Sequence, residues 1–309
     1  MKKFAAVIIL MAVCLSILAA CTPAPAASTD STEVALLTYA ASNETTKYVC
    51  DVIQKLGSEK GWTVQFTDTA GDFDKLNTAI EDAVTRKVDA IVLPMIDPVQ
   101  VSRGLKAAQE ANIPVFGVDS AAGNGIMVNV TSDNTSLGTL SAETLAAKIN
   151  YKGNIIEFVH DAHPGVRERA VAAEAVFAKY PDIKIVERRH VEVPGPLDSA
   201  RQSMEDFLVS YPNEGDIVGV WAAWDEPAMG AVQASQASGR ENIYVTGVDG
   251  QPMAKEEILK GGQFIATVSQ DFDGMAAKTV ELIENYLKGV KPDQDTYKIP
   301  GVLFTADSK

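Results

Sequence analysis

The sequence is poor in the residues that would make it a disulfide scaffold, a nucleic-acid binder or a membrane-spanning protein. It holds 3 cysteines in 309 residues, at positions 14, 21 and 50, which is too few for a disulfide framework. It holds 3 histidines, and only His160 and His163 are close in sequence, so a three- or four-ligand metal site has no local cluster to grow from. Positive charge is in deficit: 27 Lys and Arg stand against 41 Asp and Glu, a formal net charge of −14 that repels nucleic acid and anionic lipid. The one long uncharged apolar run, Phe4 to Leu18, is short for a membrane span. Cofactor and nucleotide fingerprints are missing as well. There is no G-x-S-x-G elbow, no P-loop and no G-x-G-x-x-G after the first strand; Gly123-Asn124-Gly125 is too short and wrongly placed. No cofactor is therefore expected.

What is present begins with Met1-Lys2-Lys3 before the apolar run, a positive segment followed by a secretory h-region. The run closes in Leu18-Ala19-Ala20-Cys21, which resembles the bacterial lipobox, in which the cysteine is acylated and the chain is cut just before it. Residues 1–20 are expected to be a lipoprotein signal peptide and Cys21 the lipidated residue. Thr22 to Thr32, all alanine, proline, small hydroxyl residues and one aspartate, reads as a flexible tether, so 21–32 is expected to anchor the chain to a membrane without spanning it. Cys50 lies among Tyr48, Val49, Val52, Ile53 and Leu56 at helical spacing and reads as a small buried hydrophobe.

From Glu33 the pattern alternates strand and helix. Val34 to Tyr39 and Ala90 to Leu93 are near-continuous apolar runs, as strands buried on both faces require, whereas Trp62 to Thr67 alternates and reads as an edge strand. Helices are expected over 73–86, 98–111, 136–149, 165–180, 198–211, 225–238 and 273–287. Repeated βα units imply parallel sheets with helices on both faces. About eleven strands exceed one compact open sheet, so the fold class is α/β with two doubly wound parallel-sheet domains.

Several strand ends then carry polar residues where open α/β sheets bind ligands. Asp249 stands in Gly247-Val248-Asp249-Gly250 after Ile243–Thr246, and Gln270 follows the strand Phe264–Val268. Read alone, Asp249 could equally cap the next helix and Gln270 lie idle in a loop. Further signals are Ile113-Pro114-Val115 running into Val118-Asp119, Ser132-Asp133-Asn134 before a helix, and Arg167-Glu168-Arg169 opening another. Trp224-Asp225-Glu226 with Ala228 and Gly230, and Ala266-Thr267-Val268-Ser269-Gln270, complete the set. In order and spacing these resemble the ribose- and galactose-type periplasmic sugar-binding proteins, the type I substrate-binding components of ABC importers, from about Val34 to Phe304.

The resemblance implies a sugar or polyol held between two domains joined by a three-segment hinge. The crossings would fall near Asp133-Asn134, Gln270-Asp271 and Lys298-Ile299. The N-terminal domain would be 33–133 plus 271–298 and the C-terminal domain 134–270 plus 299–309. It places Asn43, Asp119, Arg169, Asp249 and Gln270 on ligand-contacting positions, a set of ionised acceptors, a bidentate donor and amides that suits a polyol. Three positions depart from the family. Thr45 and Thr46 stand where it carries a pair of stacking phenylalanines, Trp224 stands where it carries a pocket asparagine, and Pro194-Gly195-Pro196 replaces another aromatic position. The implied partners are ABC permease subunits, or a chemoreceptor or sensor kinase that reads the same closed shape. The chain is expected to be a monomer in the periplasm or on the outer cell surface.

Two rivals are weaker. An enzyme would draw on His160-Asp161-Ala162-His163 as metal ligands, or on Asp119 and Asp249 as a hydrolase pair; the first lacks further ligands, and strand-end aspartates occur in any βα sheet. For the two histidines the plain alternative is a loop. A repressor of the lactose type would need a basic helix-turn-helix where this chain has an export signal and acidic composition.

Overall fold

The structure, a computed structural model, describes residues 31–308. The expected signal peptide, Cys21 and most of the tether lie outside the described residues.

Two six-stranded sheets form the frame. The first has the order β11-β5-β4-β3-β1-β2, from β1 (Glu33–Thr38), β2 (Thr63–Asp68), β3 (Ala90–Pro94), β4 (Val115–Val118), β5 (Val128–Ser132) and β11 (Thr296–Ile299). The second has the order β12-β10-β9-β8-β6-β7, from β6 (Gly153–Val159), β7 (Ile183–His190), β8 (Gly219–Ala222), β9 (Tyr244–Asp249), β10 (Phe264–Ser269) and β12 (Val302–Thr305). Central strands are buried along their length: every residue of β3, β4, β5 and β8 is covered by helices on both faces. β2 is an edge strand with no buried residue, as its alternating sequence predicts.

Nine α-helices connect the strands among the described residues: α1 (Glu44–Glu59), α2 (Phe73–Arg86), α3 (Ser102–Glu110), α4 (Asn134–Lys148), α5 (Pro164–Phe177), α6 (Pro196–Ser210), α7 (Asp225–Ala237), α8 (Pro252–Leu259) and α9 (Phe272–Leu287). Their starts follow local chemistry. Asn43, Asp72, Asp133 and Asp271 accept hydrogen bonds from backbone N–H groups of the first turn, which would otherwise lack partners. The expected helix from 98 begins instead with a 3-10 turn, Pro98–Val101, closed by Asp97.

β12 is the strand that the sequence pattern does not reveal. Only Pro300 and Gly301 separate it from β11, and it pairs antiparallel with β10, Ser269 opposite Val302. The two sheets confront each other with the carboxyl ends of their strands. A chain stepping straight from one to the other must therefore enter the second sheet from that end, against the direction of its neighbours.

Close approach sets the spacing of two helices. A Cβ on Gly138 would lie 2.2 Å from the carbonyl oxygen of Arg169, so α4 and α5 pack at a distance that only glycine permits. Trp221 fills the second core with its indole N–H donating to Ser141 Oγ at 2.9 Å, which satisfies its one polar atom. Cys50 is buried in the first core, and burial pushes its thiol up to about 12.

Candidate functional site

A cavity of about 130 Å3 lies where the strand ends of the two sheets meet. All eight positions singled out in the sequence line it: Asn43, Thr45, Thr46, Asp119, Arg169, Trp224, Asp249 and Gln270. They come from six different connections, and the fold alone brings them together.

Arg169 is the centre. It is 2% exposed, and its guanidinium is fixed by Nε donating to Asn134 Oδ1 at 2.7 Å and Nη1 donating to the Ala223 carbonyl at 3.0 Å. Nη2 donates to no protein atom and stands 3.6 Å from Asp119 Oδ2, while Nη1 stands 3.7 Å from Asp249 Oδ1. Asp119 Oδ1 accepts from Thr131 Oγ1 at 2.7 Å, which leaves Oδ2 facing the cavity. Thr38 Oγ1, on β1, is a second buried atom of the cavity lining without a protein partner. A donor and a hydroxyl oriented in this way are completed only by a polar ligand or solvent.

Both aspartates sit on strained backbone. Asp119 has φ 48° and Asp249 φ 119°, the left-handed side of conformational space that L residues avoid. The turn aims each carboxylate across the strand end. Asp249 is not a helix cap: it ends β9, and Gln251, which precedes α8, makes no side-chain cap. Its Oδ1 accepts from Gln270 Nε2 at 2.6 Å and its Oδ2 from Thr45 Oγ1 at 3.2 Å. Gln270 Oε1 in turn accepts from Ser132 Oγ at 2.6 Å, so the glutamine is held between the two lobes. Burial pushes the Asp249 carboxyl up to about 6, against the pull of Arg169.

Direct bonds cross the cleft at the start of α1. Asn43 Nδ2 donates to Glu226 Oε2, which also accepts from Trp224 Nε1 at 3.2 Å, and Gln251 Nε2 donates to Thr45 Oγ1 at 2.6 Å. On its other side, Asn43 Oδ1 accepts from the Thr46 backbone N–H at 2.9 Å. Thr45 thus bonds across the cleft to Asp249 and Gln251, whereas Thr46 bonds Asn43 Oδ1 and Met95 Sδ within its own lobe. Arg167 Nη2 donates to Asp97 Oδ2 at 2.7 Å, a further link from α5 to the 3-10 turn.

Several groups of the site were not assigned from sequence. Glu226 appeared only inside a motif; burial, with Asp249 nearby, pushes it up to about 7. Asp225 is fully buried, accepting from Thr267 Oγ1 at 2.7 Å and the Gln251 N–H at 2.8 Å, and burial raises it well above the usual carboxylate range. His163 stands, as expected, in the loop before α5, and it has bonds of its own there. It caps α5, its Nδ1 accepting from the Val166 N–H at 3.2 Å, and its Nε2 lies 3.8 Å from Asp119 Oδ2. Burial pushes its pKa down to about 4, so the ring is neutral. A histidine directly before a proline that opens a helix was the available signal. His160 stacks on His190 and faces the edge of Trp224. No group of three or more potential metal ligands occurs among the described residues.

The periplasmic binding protein domain matches the chain over residues 34–291, and the chain belongs to that family. It is similar to the ribose import binding protein RbsB of Escherichia coli strain K12, 28% identical over 94% of both chains. It is also similar to the D-apiose import binding protein of Actinobacillus succinogenes, 28% identical over 84% of this chain and 83% of that one. A solved structure of an ABC sugar transporter subunit from Rhodobacter sphaeroides superposes with a TM-score of 0.85 at 27% identity, over 90% of this chain and 99% of the other. The fold is the type I binding-protein fold, and the family is one of substrate-binding transport proteins, not enzymes.

Proposed function

We propose that the chain is an extracytoplasmic solute-binding protein that captures a sugar or polyol in the cleft and presents it to the permease subunits of an ABC importer. The observation that carries this reading is the buried Arg169 guanidinium, with one unpartnered nitrogen, set between the carboxylates of Asp119 and Asp249 on an inter-lobe cavity. Vicinal hydroxyls both donate and accept, and a fixed array of carboxylate acceptors and one forked donor suits them. A cavity of about 130 Å3 suits one monosaccharide-sized molecule: a cavity of about 150 Å3 holds benzene. The names of the relatives, import proteins for ribose and D-apiose, support the same class.

In this reading Asn43, Thr45, Thr46, Asp119, Arg169, Trp224, Asp249 and Gln270 contact the ligand. The lobes comprise 33–133 plus 271–298 and 134–270 plus 299–309. The chain passes between the two sheets after β5, after β10 and between β11 and β12, which supports those boundaries. Three connections permit bending and resist twisting, so ligand selects a closed arrangement that the importer reads. Lipid on Cys21 holds the protein at the membrane, as a monomer.

The test is thermal stability against a panel of monosaccharides, sugar alcohols and cyclitols. A ligand binding only the folded state stabilises it by about 2.7 kcal/mol at a hundredfold excess over its Kd, a shift of several degrees. A hit lost in Arg169→Ala and Asp249→Ala supports the reading; no hit across the panel sinks it. Incorporation of labelled fatty acid, abolished by Cys21→Ala, tests the anchor.

A further inference from the structure

The strand orders of the two sheets correspond when counted from β11 and β12, the edges where the chain crosses between lobes. The third strand of each, β4 and β9, delivers the aspartates: Asp119 follows β4 and Asp249 ends β9. The fifth strand of each, β1 and β6, delivers a second polar pair. Thr38 ends β1, His160 follows β6, and both line the same cavity as the aspartates. Strands two places apart are separated by about 10 Å at the backbone. A ligand that touches both pairs therefore carries hydrogen-bonding groups at each of its ends.

Both members of the second pair keep bonding capacity. Thr38 is fully buried, and its Oγ1, a donor and an acceptor, has no protein partner. His160 Nδ1 lies 3.0 Å from the Val191 carbonyl oxygen, which can only accept, so Nδ1 carries the ring proton. Burial lowers the pKa of this imidazole and keeps it neutral, which leaves Nε2 an acceptor. Other polar groups of this end are already bonded: Asn43 to Thr46 and Glu226, and Asp97 to the Val99 N–H at 3.1 Å and to Arg167. Tyr39 adds a hydroxyl, on a ring stacked against Phe73. We propose that Thr38 and His160 form a second hydroxyl-binding subsite, in which a terminal hydroxyl of the ligand donates to His160 Nε2 and accepts from Thr38 Oγ1. The substrate class is then a sugar or polyol hydroxylated at both ends, and terminally deoxygenated sugars are rejected. This rests on the sugar or polyol reading of the same site. A ligand ending in a methyl group would shut Thr38 Oγ1 and the imidazole nitrogen away from water without partners. A site built to bond a hydroxyl discriminates against the analogue lacking it for that reason.

Calorimetric titration of the purified full chain with matched pairs tests it: D-ribose against 5-deoxy-D-ribose, D-galactose against D-fucose, L-mannose against L-rhamnose, and galactitol against L-fucitol. In each pair of which a member binds, the parent is expected to bind about tenfold to a hundredfold tighter than its deoxy partner. Thr38→Val exchanges the hydroxyl for a methyl group at nearly constant volume, and His160→Phe keeps a ring beside His190 while removing the acceptor. Both variants are expected to weaken the parent and leave the deoxy member unchanged, so the ratio falls. Deoxy members that bind as tightly as their parents overturn the inference and leave the sugar reading standing. A ratio unchanged in either variant overturns the contact assigned to that residue. A folded protein, by circular dichroism, that binds no member of any pair overturns the inference and the sugar or polyol reading with it.

Discussion

Arg169 Nη2 stands 3.6 Å from Asp119 Oδ2, too far for a hydrogen bond and near enough for strong attraction. The two groups are buried together, so each depends on the other for charge compensation while each keeps bonding capacity free. That combination makes stability and ligand binding separable by mutation.

Arg169→Met leaves Asp119 and Asp249 buried without their counter-ion. The expected loss is about 3–5 kcal/mol of stability together with loss of ligand-induced stabilisation. Asp119→Asn keeps the shape and lowers the charge demand. Its melting temperature is expected to stay within a few degrees of the parent while the ligand response disappears. Paired melts with and without ligand distinguish the two.

Glu157 offers a pH test away from the cleft. It is fully buried on β6, neither carboxylate oxygen has a partner, and burial pushes it up to about 8. Between its ordinary value of 4.5 and about 8, the folded state holds a proton that the unfolded state has released. This carboxyl therefore contributes a loss of stability as pH rises through that window. In Glu157→Gln the difference between urea midpoints at about pH 5 and about pH 9 is expected to shrink; an unchanged difference would show that the group does not titrate as its burial requires.

His163 has the opposite sign. Its folded value near 4 lies below the ordinary 6.5, so the stability it contributes is present above 6.5 and is lost as pH falls toward 4. His163→Gln is expected to flatten stability over that acidic range. Because Nε2 faces Asp119, ligand affinity measured across the same range reports whether the two groups are coupled.

Gly138→Ala places a methyl group within 2.2 Å of the Arg169 carbonyl oxygen. Overpacking of this kind costs about 1–3 kcal/mol. Here it also pushes α5, and Arg169 with it, so ligand affinity is expected to fall more than for an alanine placed elsewhere on α4. A stability loss with unchanged affinity would show that the arginine is held independently of the helix contact.

Cys50, with its thiol pushed up to about 12, is expected to resist alkylation at neutral pH until the chain unfolds. Labelling rates measured across a urea titration should follow global unfolding, not local opening.

The alternation of elements was legible in the sequence, because buried parallel strands must be nearly all apolar and their connecting helices carry local cap signals. Resemblance to the motifs of a known family singled out Asp119, Arg169, Asp249 and Gln270, at strand ends or a helix start, and all four line one cavity. Thr45 and Thr46 were legible as departures, but their consequence was not. It took the folded arrangement to show that Thr45 bonds Asp249 and Gln251 across the cleft, and that Glu226 takes Asn43 from the opposite lobe. These pairs lie about two hundred residues apart in sequence, and no local periodicity encodes a contact between the ends of two sheets. The same holds for β12: four residues after a proline and a glycine carry too little pattern to announce a strand. Its direction follows solely from how the two sheets face each other.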